Sequence, residues 1–219
     1  MVDLIRALRP EDVRANLEAV DDRIKATGRR PEDVQILAAV KYLPSTELAA
    51  LRQGGITLVG ENRARDLITK AADHPGFTWD FIGALQSRKV PLLLPHVRYI
   101  HSVASASALE QLKRHGTVNT RVLIEVNVAG DPGKSGVLPA DLPGFLDRCP
   151  VTVAGLMTMP PLVTDPERNR RHFAALRELA EAQGLRELSM GTSQDYGVAV
   201  EEGATIIRLG SHLYRRTAP

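Results

Sequence analysis

Apolar positions alternate along this chain between two spacings. From Pro10, Val13, Leu17, Val20 and Ile24 fall at helical intervals until Gly28 stops the run, which predicts an amphipathic helix. Residues 36–40 are continuously apolar and end in a charge at Lys41. Such runs suit strands covered on both faces, as in a parallel sheet. Pro44-Ser45 opens a helix that Gly54-Gly55 closes, 57–60 reads as a strand and 61–72 as a helix. The pattern continues with a strand at 78–83, a short helix at 87–94, a strand at 97–100 and a helix at 105–115. Residues 121–128 form the longest β-branched run, followed by a helix at 139–148 and a strand at 151–156. The helix at 167–183 carries Phe173, Leu176, Leu179 and Ala180 on one face and ends before Gly184. A strand at 186–190, a helix at 194–202 and a strand at 204–208 complete the series.

Eight strands, each followed by a helix or helical turn, predict an α/β fold, a single (β/α)8 TIM barrel. The first helix is extra, so residues 1–219 read as one domain with an N-terminal helix within about 1–30. A doubly wound open sheet is the alternative, and it usually brings a glycine-rich loop after its first strand. Here that strand leads into Lys41-Tyr42-Leu43-Pro44. At 219 residues the barrel needs tight loops.

Composition narrows the class. The 28 basic and 26 acidic residues leave +2, too little to imply a nucleic-acid partner. No uncharged apolar stretch is long enough to span a membrane, and the opening Met1 to Arg6 lacks the pattern of a secretory signal. Cys149 is the single cysteine, which excludes an internal disulfide framework. A cytoplasmic protein is the expectation.

Two constellations point to chemistry. Of six lysines, Lys41 alone ends an apolar strand, on what would be the catalytic face of a barrel. An amine held there in apolar surroundings becomes nucleophilic toward aldehydes, whereas a lysine that snorkels into water does not. The second constellation is Ser189-Met190-Gly191-Thr192-Ser193 with Arg208-Leu209-Gly210-Ser211, after the seventh and eighth strands. Barrels often bind phosphate there through backbone N–H groups and hydroxyls, although glycines and serines also make ordinary turns and caps. Together the two predict a ligand with an aldehyde at one end and a phosphate at the other, as in pyridoxal 5′-phosphate (PLP) or a Schiff-base-forming sugar phosphate. Arg208 would either keep a pyridine nitrogen of PLP unprotonated, neutralise phosphate, or pair with Glu201 or Glu202. Asn62, after the second strand, either hydrogen-bonds the ligand or caps the next helix. Residues 131–136 lack the first glycine of a Walker loop and read as a turn. The six histidines show no metal-ligand spacing, and Arg168, Arg170 and Arg171 read as a solvated helix face.

At these residues the sequence resembles the YggS/PROSC-type pyridoxal phosphate homeostasis proteins. The matching stretches are Ala39-Val40-Lys41, Gly60-Glu61-Asn62, 79–89, His101-Ser102-Val103, Val126-Asn127-Val128, Lys134-Ser135-Gly136, Gly155-Leu156-Met157-Thr158, 188–195 and 202–210. The resemblance implies a fold-type III PLP-binding barrel, similar to the N-terminal domain of alanine racemase. It implies that Lys41 bonds the cofactor aldehyde, that Ser193, Gly210 and Ser211 hold the phosphate, and that Arg208 lies at the pyridine nitrogen. Asn62 and Met157 match pocket positions. It further implies reversible holding of PLP and supply to apo-enzymes, as a monomer and without catalytic turnover. The chain departs from the family at Val40, where a hydroxylic or basic residue is common, and at Asp80, where histidine usually follows the tryptophan. It departs again at Thr192, where a methionine is usual.

Two enzyme readings compete. A racemase needs a second acid/base group, which a partner subunit with an added β-domain supplies in the racemases, and this chain ends at Pro219 without such a domain. A lysine-dependent aldolase acting on sugar phosphates would also use the barrel and its phosphate site.

Overall fold

The structure is a computed structural model that describes residue 5 and residues 7–217. The readings that rest on Met1 to Leu4, on Arg6 and on Pro219 lie outside the described residues. Eight parallel strands close on themselves in chain order: β1 (Gln35–Ala39), β2 (Leu58–Glu61), β3 (Thr78–Phe81), β4 (Tyr99–Val103), β5 (Arg121–Glu125), β6 (Thr152–Met157), β7 (Glu187–Thr192) and β8 (Ile206–Leu209). Closure is made by β1 against β8, in register from Gln35 opposite Ile206 to Ala38 opposite Leu209.

Helix α1 (Pro10–Ala26) precedes the barrel. Helices α2 (Leu48–Gln53), α3 (Ala64–Asp73), α4 (Val90–Leu93), α5 (Ala106–His115), α6 (Leu142–Asp147), α7 (Arg170–Ala182) and α8 (Tyr196–Glu201) follow β1 to β7 in turn. The last strand leads only into a turn. Because the strands are roofed by helices outside and packed side chains inside, most of their residues are apolar, as the continuous runs predict, with Glu61, Asp80, His101, Ser189 and Arg208 among the buried polar exceptions. Val13, Val20 and Ile24 seat α1 against the core beside α2 and α8, and Asp12 accepts from the backbone N–H and hydroxyl of Thr217, tying the chain's end to this helix. Inside the barrel, Leu37, Tyr99, Leu123, Met157 and Ile206 form one packed cluster. Among the described residues no helix is long and apolar enough to cross a membrane.

The element order follows the hydrophobic pattern, and the differences lie at the ends. Glu61 completes β2, so α3 starts at Ala64 and not at 61. β4 begins at Tyr99 and runs through His101 and Ser102, two polar residues that are buried in the structure. β5 stops at Glu125; Val126 beyond it still donates to the Met157 carbonyl of β6 at 2.8 Å and forms an isolated bridge with Val137. The helices expected at 44–53, 87–94, 139–148 and 167–183 each open with a 3-10 turn.

Candidate functional site

A cavity of about 520 Å³ opens at the carboxyl end of the strands, between β1, β2, β7 and β8. Its lining brings together Lys41, Asn62, Ser193, Arg208, Gly210 and Ser211. Its size lies within the range of small-ligand sites. Met157 is not among the lining residues. It packs within the inner barrel cluster below the mouth, and Met159, two residues further along, takes the lining position.

Lys41 also differs from expectation. The strand ends at Ala39, Val40 is buried, and Lys41 follows on a turn with its side chain exposed. Its Nζ lies 4.6 Å from the centroid of the Tyr42 ring, whose negative face attracts the ammonium. The amine is thus held at the rim of the cavity by an aromatic ring and not buried in an apolar strand end.

The opposite wall gathers backbone N–H donors on two small-residue loops. Gly191 adopts a positive φ of 89°, and a Cβ there would come within 2.6 Å of the Ala199 Cβ, so this turn admits only glycine without strain. Asp195 braces the loop that follows by accepting from the Thr192 backbone N–H at 2.7 Å and its hydroxyl at 3.0 Å. The Ser193 hydroxyl oxygen accepts from the Gly210 N–H at 3.3 Å, joining the two loops. Among the described residues the backbone N–H groups of Ser193, Gln194 and Ser211 donate to no protein acceptor. A cluster of such donors is what a phosphate requires.

Arg208 crosses the cavity floor. Its Nη1 donates to the Ser189 carbonyl at 2.7 Å and hydroxyl at 2.5 Å, and its Nη2 to the Thr158 carbonyl at 2.9 Å and the Met159 sulfur at 2.8 Å. Among the described residues its Nε–H has no acceptor, so one donor of a rigidly held guanidinium remains for a ligand. Burial pushes its pKa down to about 10, and the group is still a cation at neutrality. Glu201 and Glu202 are not its partners, since Arg170 and Arg177 take both.

Asn62 does not cap α3, whose first flanking residue is Arg63. Among the described residues its Oδ1 is buried without a partner, although the residue lines the cavity. A Cβ on Gly83 would collide with the Asn62 backbone carbonyl, so β3 can approach this turn only through a glycine.

Behind the cavity lies a pair that the sequence does not advertise. Lys70 Nζ, on α3, donates to Glu61 Oε2 at 2.6 Å and to the Val40 carbonyl at 2.8 Å. Glu61 Oε1 accepts from the Asn62 N–H at 2.7 Å. One buried ion pair therefore fixes both the turn that carries Lys41 and the turn that carries Asn62. The Tyr214 hydroxyl donates to the Ala39 carbonyl at 3.1 Å and holds the first of these turns from the other side. A glutamate closing a strand nine residues before a lysine on the following helix was the available signal. Residues 131–136 form a turn, in which the Lys134 N–H donates to the Asp131 carbonyl at 3.1 Å. Among the described residues no three His, Cys, Asp or Glu side chains gather as a metal site.

The family described as alanine racemase, N-terminal domain, matches residues 11–217. A pyridoxal phosphate homeostasis protein of Aquifex aeolicus is 36% identical over 213 residues, which is 90% of this chain and 93% of that protein. The chain belongs to the pyridoxal phosphate homeostasis family. Among solved structures, that of PipY from Synechococcus elongatus with PLP bound superposes with a TM-score of 0.79 at 31% identity, covering 93% of this chain and 100% of PipY. Alanine racemase from Corynebacterium glutamicum superposes with a TM-score of 0.72 at 15% identity over 65% of its length, a likeness of fold.

Proposed function

We propose that this chain binds pyridoxal 5′-phosphate in the cavity between β1, β2, β7 and β8 and supplies it to apo-enzymes. The observation that carries the reading is that an amine, a braced loop pair rich in N–H donors and a guanidinium with one unpaired N–H border the same cavity. The PLP-bound state of PipY and the names of the curated relatives support it. When bound, the cofactor supplies an aldehyde carbon that an amine attacks reversibly with loss of water. Lys41 is the amine placed for this, and its exposed position on the rim would leave the site within reach of a competing amine. Ser193, Gly210 and Ser211 would hold the phosphate, the free Arg208 Nε–H would be available to the ring nitrogen, and Asn62 would border the ring. An arginine at that nitrogen keeps it unprotonated and weakens the ring as an electron sink, which suits holding over turnover. The reading is of a cytoplasmic monomer without catalytic turnover.

The test is an absorbance titration of the purified protein with PLP and with pyridoxal, its counterpart without phosphate. A saturable visible band with PLP, absent in Lys41→Ala, is expected, with binding of pyridoxal at least tenfold weaker. Equal affinity for the two ligands, or a band that persists in Lys41→Ala, would refute the assignment. A racemase would instead interconvert D- and L-alanine in a Lys41-dependent manner.

A further inference from the structure

We infer that Asp80, His101 and Ser189 form a positioning chain through the barrel interior that sets the orientation of Arg208. The inference rests on the binding reading above and adds to it residues that do not line the cavity. Asp80 lies on β3, His101 on β4, Ser189 on β7 and Arg208 on β8, so the chain crosses the barrel between staves that are not neighbours. Asp80 Oδ2 is 3.0 Å from His101 Nε2, His101 Nδ1 is 2.9 Å from Ser189 Oγ, and Ser189 Oγ is 2.5 Å from Arg208 Nη1. Asp80, His101 and Ser189 are all fully buried.

The chemistry of the members fixes the direction of every hydrogen bond. An ionised carboxylate only accepts, and Asp80 accepts from Arg98 Nε at 3.0 Å, Arg98 Nη2 at 2.6 Å and the Tyr99 N–H at 3.1 Å as well as from His101. His101 therefore donates through Nε2–H. Complete burial disfavours the imidazolium, so Nδ1 is left as an acceptor and takes the Ser189 hydroxyl proton. The Ser189 lone pairs then face Arg208, which donates to them. A neutral residue at position 80 removes this constraint. Asparagine could donate to Nε2 and drive the proton to Nδ1, which would then compete with Arg208 for the serine oxygen. Asp80 thus acts at a distance, by holding a polarity that ends at the guanidinium. Arg98 compensates its charge on the side away from the cavity and is anchored in turn by Gln35 at 2.5 Å.

The test compares Asp80→Asn, Ser189→Ala and Arg208→Gln, alone and combined, in the full chain. The readouts are the PLP titration and the position of the visible band, with melting of the cofactor-free protein as the control for folding. Asp80→Asn and Ser189→Ala are expected to weaken PLP binding roughly tenfold, about 1.4 kcal/mol, and to shift the band. In the Arg208→Gln background neither should have a further effect on binding. Wild-type affinity and band position in folded Asp80→Asn and Ser189→Ala would overturn the inference, as would effects that add in full to that of Arg208→Gln. Should Asp80→Asn not fold, Ser189→Ala, which removes one hydroxyl, decides the matter alone. A wild-type protein with no Lys41-dependent band refutes the binding reading and the inference together. A wild-type band with indifferent variants refutes the inference only.

Discussion

Replacing Lys70 by methionine is expected to destabilise the cofactor-free protein by about 3–5 kcal/mol. The side chain of Glu61 has no exposure to solvent and that of Lys70 only 11%, so removing the cation strands a buried carboxylate. It also takes the donor at 2.8 Å from the Val40 carbonyl, an added penalty that overlaps with the first. The loss is a large fraction of a typical domain stability of about 5–15 kcal/mol but does not exceed it, so the variant should still fold at low temperature. Adding Glu61→Gln removes the stranded charge while keeping an acceptor for the Asn62 N–H, and should recover about half the loss. Urea unfolding followed by circular dichroism measures both, through a midpoint shift at unchanged slope. A single variant within about 1 kcal/mol of wild type, or a double variant less stable than the single one, would refute the view that this pair anchors the two turns.

Other outcomes follow from the same contacts. Asp195→Ala removes the acceptor that braces the Thr192 turn, so affinity for PLP should fall several-fold while that for pyridoxal stays unchanged; titration with both ligands checks it. Gly83→Ala drives a methyl group into the Asn62 backbone and should cost about 1–3 kcal/mol, read by the same urea midpoint. Burial lowers the pKa of His101 below its ordinary 6.5. Burial alone would raise that of Asp80, but hydrogen bonds from His101 and Arg98 outweigh it and hold it below 3.8. In both cases the unfolded chain binds more protons just below the ordinary pKa, so stability is present above that value and falls on acidification. The loss should begin near pH 6.5, reach at most about 1.4 kcal/mol per pH unit from His101, and steepen near pH 3.8. Burial lowers His172 and His212 too, so the contribution of His101 is the difference between wild type and His101→Gln in melting temperature against pH. Identical pH profiles for the two proteins would contradict it.

The barrel was legible because each buried strand is a short apolar run and each helix has a stripe of apolar residues, so period and punctuation suffice. Lys41, Ser193, Arg208, Gly210 and Ser211 were legible as residues at or just after strand ends, and one cavity gathers them together with Asn62. Met157 was misplaced because a two-residue offset along the turn after β6 separates the inner cluster from the rim. The burial expected of Lys41 failed because the strand ends at Ala39, one residue before the apolar run does, and Lys41 falls on the turn that follows. Asp80 and His101 stand 21 residues apart and Glu61 and Lys70 pair between a strand end and a helix, contacts that only closure of the barrel creates. Asp80, a charged residue inside the strand run 78–83, was the available sign of a hydrophilic layer within the barrel, whereas His101 lay just past the expected strand at 97–100.

The central claim is that the Lys41 amine and the two loops after β7 and β8 hold one molecule. Incubating the protein with PLP, reducing it with borohydride and mapping the peptides by mass spectrometry tests this most directly. The account predicts the pyridoxyl group on Lys41 at one equivalent per chain, with inorganic phosphate in excess slowing the labelling. Label spread over Lys25, Lys113 and Lys134, or labelling of Lys41 indifferent to phosphate, would contradict it.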